Sequence, residues 1–369
     1  MANPAPIAVL FGTRPEAIKL APVILALRSA DVPHTVIATG QHAALVDDVV
    51  ALFGIEADAR LGLMRDDQTL DHLLSAAVER IGEQLDSIAP AAVIVQGDTT
   101  SMLGAVLAAF HRHIPVAHVE AGLRSGDRSL PFPEELNRRA ASLMARWHFA
   151  PTAGAAANLR AEGVEGEIHV VGNTVVDAVC LVLDRSEQAL PDPLARFIDG
   201  APYLLATAHR RESWGTGIAN IASGLRDVLL ALPDHRLVFV AHPNPAAREP
   251  VDRALRDEPR ALVVDALPYA AFLRLLAGAR LAVSDSGGLQ EEGPTLGVPV
   301  LVTRTVTERP EGVAAGAVRL VGTEAASVHD GVLELLRSPN ELDAMARAGA
   351  GLYGDGHAAD RIVRILVGA

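Results

Sequence analysis

The chain has 369 residues, room for two domains of ordinary size, and carries 32 Lys+Arg against 45 Asp+Glu for a formal charge of −13. That balance argues against general nucleic-acid binding, which needs a basic face to release counterions from phosphates. Half of the residues are hydrophobic but only 4% are aromatic, so disorder is excluded and the core must be built mainly from Ala, Val, Leu and Ile.

Short apolar runs predict strands over 7–11, 35–39, 91–95, 116–119 and 168–171. The pattern restarts at 203–207, 237–241, 261–264, 280–283, 298–302 and 318–321. Between the runs lie helix-length stretches with apolar residues three and four apart, such as 70–88 and 100–110. Strands uninterrupted by polar residues are buried on both faces, and intervening helices make them parallel. Two such series predict an α/β fold of two Rossmann-like, doubly wound parallel sheets. Gly172-Asn173 closes the first series, so the domains are placed at 1–172 and 173–354; Gly354-Asp355-Gly356 then breaks the chain before a final helix over 357–367. The single cysteine, Cys180, can form neither an internal disulfide nor a multi-cysteine metal site. A reducing cytoplasm is the compartment expected. Residues 1–6 lack the positively charged start of a secretory signal, and no apolar run reaches the roughly 18–20 residues that span a bilayer.

In a doubly wound sheet, ligands bind beyond the carboxyl ends of the strands, so the residues after each strand are the informative ones. The first strand is followed by Gly12-Thr13-Arg14-Pro15-Glu16. Pro15 suits the first turn of a helix, and Arg14 adds a full charge to the helix amides that favour an anion; a surface arginine at a helix start is the plainer reading. His42, after Thr39-Gly40-Gln41, is another strand-end imidazole. In Gln96-Gly97-Asp98-Thr99-Thr100-Ser101, Asp98 either caps the next helix or does chemistry. Capping explains Glu120 poorly, because a carboxylate closing an apolar strand is costly unless paired or used. Glu134 and Glu135 open a helix after Pro133 and read also as dipole complements, with Arg138 and Arg139 as partners one turn on.

In the second half, His209-Arg210-Arg211-Glu212 is an anion and proton-transfer site or a solvated basic turn. His242-Pro243-Asn244-Pro245 reads first as a turn. The sharpest segment is Ser284-Asp285-Ser286-Gly287-Gly288-Leu289-Gln290-Glu291-Glu292. Its two glycines let backbone amides approach a phosphate, Ser286 adds a hydroxyl, and Glu292 is spaced to accept two hydrogen bonds from a ribose diol. Arg309 belongs to the same rim. There is no G-x-G-x-x-G after the first strand, no zinc-like ligand spacing and no G-x-S-x-G elbow, so neither NAD nor a metal is expected. Nearly every charged cluster follows a strand, in both halves. That placement predicts two sheets facing a cleft for a nucleotide conjugate.

Several segments together carry a resemblance. They are Phe11-Gly12-Thr13-Arg14-Pro15-Glu16-Ala17-Ile18-Lys19, Gly97-Asp98-Thr99-Thr100, His118-Val119-Glu120-Ala121-Gly122-Leu123-Arg124, Pro131-Phe132-Pro133-Glu134-Glu135, Gly172-Asn173-Thr174, His209-Arg210-Arg211-Glu212, Asp285 to Glu292, and Thr307-Glu308-Arg309-Pro310. In this order, across nearly the whole chain, they resemble the non-hydrolysing UDP-N-acetylglucosamine 2-epimerases. The resemblance implies a glycosyltransferase B type fold, with the terminal segment 355–369 crossing back to the first domain. It implies interconversion of UDP-GlcNAc and UDP-ManNAc with no cofactor or metal, in the cytoplasm, usually by a homodimer. Asp98, Glu120 and Glu134 are then the carboxylates of proton transfer and charge stabilisation, with His209 as a further catalytic group. Arg14, Lys19, Arg210, Ser286, Gly287, Gly288, Glu292 and Arg309 would hold the substrate. Gln41, His42, Glu135, Arg210 and His242 match the site where many bacterial members take a second UDP-GlcNAc as activator, although Ala43-Ala44 stand where those members commonly carry longer polar side chains.

The chemistry fits these residue types. The C2 hydrogen of an N-acetyl sugar is not acidic, whereas breaking the anomeric C–O bond builds positive character at C1 and makes C2–H labile. UDP leaves by anti elimination to 2-acetamidoglucal and adds back with the opposite C2 configuration. This takes acid/base groups near C2, carboxylates that stabilise the cation and positive charge on the diphosphate. A hydrolysing relative releasing ManNAc and UDP, a glycosyltransferase on the same fold and a non-catalytic nucleotide-sugar sensor are the alternatives.

Overall fold

The computed structural model describes residues 5–40, 43–65, 68–185, 190–210 and 213–368. Two compact units emerge, Met1–Val182 with Tyr353–Ala369, and Leu183–Leu352.

The first unit is built on seven strands: β1 (Ile7–Phe11), β2 (His34–Ala38), β3 (Ala59–Arg60), β4 (Ala92–Gln96), β5 (Val116–Val119), β6 (Trp147–Ala150) and β7 (Glu167–Val170). They run in the order β3-β2-β1-β4-β5-β6-β7 and every pairing is parallel. Ile7 pairs with both His34 and Ala92, so β1 lies inside the sheet and the chain winds outward from it in both directions. The strand order therefore reverses between β1 and β4, where a doubly wound sheet opens its crevice.

The second unit repeats the plan with β8 (Tyr203–Thr207), β9 (Arg236–Val240), β10 (Ala261–Val264), β11 (Leu281–Ser284), β12 (Val300–Val302) and β13 (Val318–Leu320). Their order is β10-β9-β8-β11-β12-β13, again all parallel, with the reversal between β8 and β11. Both sheets are thus Rossmann-like and doubly wound, as the apolar runs imply.

Two strands escape the sequence pattern. β3 is a two-residue edge, too short to show a periodicity. β6, Trp-His-Phe-Ala, is interrupted by His148, yet that residue is fully buried. The register sets it beside the equally buried His118 of β5. Each ring directs Nε2 at a backbone carbonyl, His118 at Gly97 (2.7 Å) and His148 at Glu165 (2.9 Å). β7 corrects the expectation of strands buried on both faces: as an edge strand it leaves Glu167 and Val170 exposed.

Burial pushes the His118 imidazole down from 6.5 to about 4. The unfolded chain takes up a proton below pH 6.5 that the native ring refuses until near pH 4. Stability is therefore full above pH 6.5 and falls as pH drops through that window, by up to roughly 3 kcal/mol for this one group. A melting series against pH checks this: His118→Gln, which cannot titrate, has the shallower slope between pH 6.5 and 4.

The sequence places the domain break near residue 173, to within about ten residues; the two compact units divide after Val182, within the helix Thr174–Arg185. The start of that helix is tied to the chain's end. Asn173 N donates to the Tyr353 carbonyl (2.7 Å), and the buried Asp177 carboxylate accepts from Ala358 N (3.3 Å) and Ala359 N (2.8 Å). Burial raises the Asp177 carboxyl pKa. The terminal helix Ala358–Val367 packs against the helix Arg14–Ser29, so the closing segment belongs to the first unit. Among the described residues, no helix is long and apolar enough to cross a membrane.

Candidate functional site

At the β1/β4 reversal of the first unit, the helix Arg14–Ser29 starts directly after β1, with Pro15 in its first turn and Arg14 half-buried as its first residue. Two of the amides expected to meet an anion are already taken. The buried Glu16 carboxylate accepts from Gly12 N (2.6 Å) and Thr13 N (2.7 Å) through Oε2, and from the Thr99 hydroxyl (2.6 Å) through Oε1. Burial, acting against these bonds, raises its pKa. Glu16 thereby staples the loop after β1 to the loop after β4, a role that sequence reading misses although Thr13 followed by Glu16 has capping-box spacing.

Thr99, not Asp98, caps the helix Thr100–Phe110, accepting from Met102 N (3.1 Å). The capping reading of Asp98 therefore fails. Its carboxylate lies 2.7 Å from Nη2 of Arg138, a guanidinium with only 3% of its side chain exposed, and its carbonyl accepts from Asn137 Nδ2 (2.9 Å).

Glu120 closes β5 with φ of +65°, in the left-handed region, a conformation that costs a non-glycine residue on the order of 1–3 kcal/mol. Three donors hold its carboxylate: Lys19 Nζ in an ion pair, Gln96 Nε2, and Asn173 Nδ2 at 3.3 Å. Lys19, expected on the substrate, is thus buried against Glu120. Gly122 follows at φ +90°, and a Cβ there would lie 2.2 Å from the Ala155 carbonyl, so only glycine lets the chain turn away.

Glu134 is half-buried as the first residue of the helix Glu134–Ser142. Its neighbour Glu135, expected to meet a second nucleotide sugar, is fully buried instead. It accepts from Ser125 N (3.1 Å) and Arg139 Nε (3.0 Å) and lies 3.5 Å from Arg138 Nη1. Arg138 thus stands between Glu135 and Asp98. The Arg14 loop and Asp98 follow the two strands flanking the reversal, β1 and β4, and Glu120 follows β5, the neighbour of β4.

At the β8/β11 reversal of the second unit, the fully buried Asp285 carboxylate organises the loops. It accepts from His209 N (3.0 Å) and Arg210 N (2.9 Å), and His209 Nδ1 lies 3.3 Å from Oδ1. Asp285 is a site residue the sequence displays only as part of a motif; a carboxylate closing an apolar strand was the available signal. Ser286 N donates to Ser284 Oγ (2.9 Å). A Cβ on Gly287 would lie 2.7 Å from Arg309 Nη1, so glycine lets the guanidinium pass under the loop. A Cβ on Gly288 would be 3.7 Å from both Ser286 Oγ and Glu292 Oε2. Hydroxyl and carboxylate therefore border one space, and Glu292 Oε1 accepts from the Tyr269 hydroxyl (2.8 Å).

Arg309, expected on the diphosphate, is buried and paired with Glu291 and with Glu308 (2.6 Å). Arg304 (2.9 Å) and Arg210 (3.7 Å) also pair with Glu308. His242 follows β9, where Nδ1 accepts from Asn244 N (3.1 Å), which is turn chemistry. Gln41, His42, Arg211 and Glu212 lie outside the described residues.

The profile of the family described as UDP-N-acetylglucosamine 2-epimerase matches residues 26–367. The UDP-N-acetylglucosamine 2-epimerase of Escherichia coli K12 is 44% identical over 365 residues, covering 97% of each chain. The crystal structure of the Neisseria meningitidis UDP-GlcNAc 2-epimerase bound to UDP-GlcNAc superposes with a TM-score of 0.93 at 38% identity, covering 98% of this chain and 100% of that one. The Methanocaldococcus jannaschii enzyme in complex with UDP-GlcNAc and UDP gives 0.85 at 32% identity, covering 98% and 99%. The profile takes in every segment singled out above from Gly97 onward, and the structural match covers 98% of the chain. The chain belongs to the UDP-N-acetylglucosamine 2-epimerase family.

Proposed function

We propose that this protein interconverts UDP-GlcNAc and UDP-ManNAc by anti elimination of UDP and re-addition to 2-acetamidoglucal, without hydrolysis. The observation that carries the proposal is that carboxylates follow β4 and β5 in one unit while a hydroxyl, two glycines and an acid follow β11 in the other, in a chain of this family. Asp98, Glu120 and Glu134 supply proton transfer and stabilise the charge developing at C1. Glu120, held by Lys19, Gln96 and Asn173, is suited to the anionic, stabilising role. Ser286, Gly287, Gly288 and Glu292 hold UDP, with Arg14, Arg210 and His209 toward the diphosphate. Lys19 acts through Glu120, and Arg309 supports the Gly287 turn from below. A second UDP-GlcNAc as activator is not part of the proposal, because Glu135 is turned inward.

The test is incubation with UDP-GlcNAc in deuterated water, followed by proton NMR. UDP-ManNAc carrying deuterium at C2 is the expected product, with traces of UDP and 2-acetamidoglucal. Accumulating free ManNAc would overturn the non-hydrolysing reading, and no reaction at all would favour transfer or sensing.

The homodimer is proposed on a patch in the first unit. Leu136 in the helix Glu134–Ser142 and Leu143 at its C-cap, seven residues on, are 52% and 75% exposed, and Phe132 before the helix is 68% exposed. Sedimentation that returns only the monomer mass would remove it. A cytoplasmic location is proposed on the single cysteine and the soluble nucleotide-sugar chemistry.

A further inference from the structure

Glu291 and Glu292 are adjacent acids in the helix Leu289–Thr295, yet they are bonded to different chemistry. Glu291 is buried against the Arg309 guanidinium, which neutralises it as a charge partner. Glu292 is instead held by a neutral phenol, the Tyr269 hydroxyl donating to Oε1 at 2.8 Å. A phenol occupies about one of a carboxylate's four lone-pair positions and leaves its negative charge in place. What it removes is rotation. A glutamate turns freely about its last torsion, and one fixed oxygen sets the plane of the other.

Tyr269 is itself clamped. It is 3% exposed at the first position of the helix Tyr269–Ala277, directly after Pro268, and it cannot follow the carboxylate outward. The remaining oxygen, Oε2, borders the same space over Gly288 as the Ser286 hydroxyl. The site therefore combines an oriented anionic acceptor with a glycine turn open to a phosphate chain. Neighbouring hydroxyls on a sugar ring offer two O–H donors side by side, and a carboxylate accepts both only when its plane matches theirs.

We propose that Tyr269 is a specificity-determining positioning residue, which aims the Glu292 carboxylate at the two ribose hydroxyls and makes the site prefer ribonucleoside over deoxyribonucleoside diphosphates. The inference rests on the reading of Glu292 as a UDP ligand given above. Tyr269 touches no substrate; it acts through Glu292.

The experiment is calorimetric binding of UDP, 2′-deoxy-UDP and 3′-deoxy-UDP to the full chain, wild type against Tyr269→Phe and Glu292→Gln. Wild type is expected to bind UDP at least about tenfold more tightly than either analogue, the scale of a hydrogen bond to a charged group. Tyr269→Phe is expected to shrink that advantage to about threefold or less, weakening UDP while leaving both analogues within about twofold of their wild-type affinities. General damage to the fold lowers all three ligands together, and that uniform fall overturns the proposal. An unchanged ratio in Tyr269→Phe, with the ratio collapsed in Glu292→Gln, removes the role of Tyr269 and leaves the Glu292 reading standing. No ribose preference in wild type, or one that survives in both variants, removes both. Tyr269→Met, which fills the space of the ring without a donor, gives the same readout if the phenylalanine variant folds poorly.

Discussion

Asp98→Asn, Glu120→Gln and Glu134→Gln are each expected to slow formation of C2-deuterated UDP-ManNAc by at least about 10²-fold, the scale of a lost acid/base or charge-stabilising group. The three losses have different origins. Asp98→Asn removes a carboxylate that sits 2.7 Å from a buried guanidinium, so the variant also leaves Arg138 facing a neutral amide. Glu120→Gln keeps the bulk but removes the charge that Lys19 meets and puts an amide where Gln96 and Asn173 both donate. Glu134→Gln has the least structural cost, since the residue is half-buried in a helix's first turn. Melting curves separate damage to the fold from damage to the chemistry. Near-normal turnover in all three variants would end the catalytic assignment.

Lys19→Met is expected to lower stability by about 3–5 kcal/mol, the cost of breaking a buried ion pair and leaving one charge behind. The Glu120 side chain is only 6% exposed, so its charge is costly to keep once the lysine charge is removed. For a unit of this size the loss corresponds to a fall of roughly 10 °C in melting temperature. The double variant Lys19→Met with Glu120→Gln is expected to recover much of that loss, because both buried charges are gone. A double variant no more stable than Lys19→Met alone would show that the pair is not the source of the cost. Activity stays low in either case, which separates the packing role of the lysine from the role of the carboxylate.

The sheets are legible in the sequence because parallel strands buried on both faces are plain apolar runs, as in Ile7–Phe11 and Val116–Val119. β6 is not legible, since a histidine inside a strand looks like an interruption until a neighbouring carbonyl is seen to accept from it. The loops of the site are legible by position, as they follow β1, β4, β5, β8 and β11. Their internal wiring is not. No spacing rule says that Glu16 reaches Thr99, that Lys19 answers Glu120, or that Arg309 turns toward Glu291 and Glu308. Those pairings join segments brought together only by the winding of the sheet, and local sequence reads charges there without their partners.

The tie between Asp177 and the start of the terminal helix has a consequence for how the chain is made. The first unit is discontinuous, and its closing piece, from Tyr353 onward, leaves the ribosome only after all of Leu183–Leu352. At about 5–20 residues per second, the first unit waits roughly 10 to 30 seconds for the helix that packs on Arg14–Ser29. During synthesis the second unit can therefore mature while the first still exposes the side of the helix Arg14–Ser29 that Ala358–Val367 will cover.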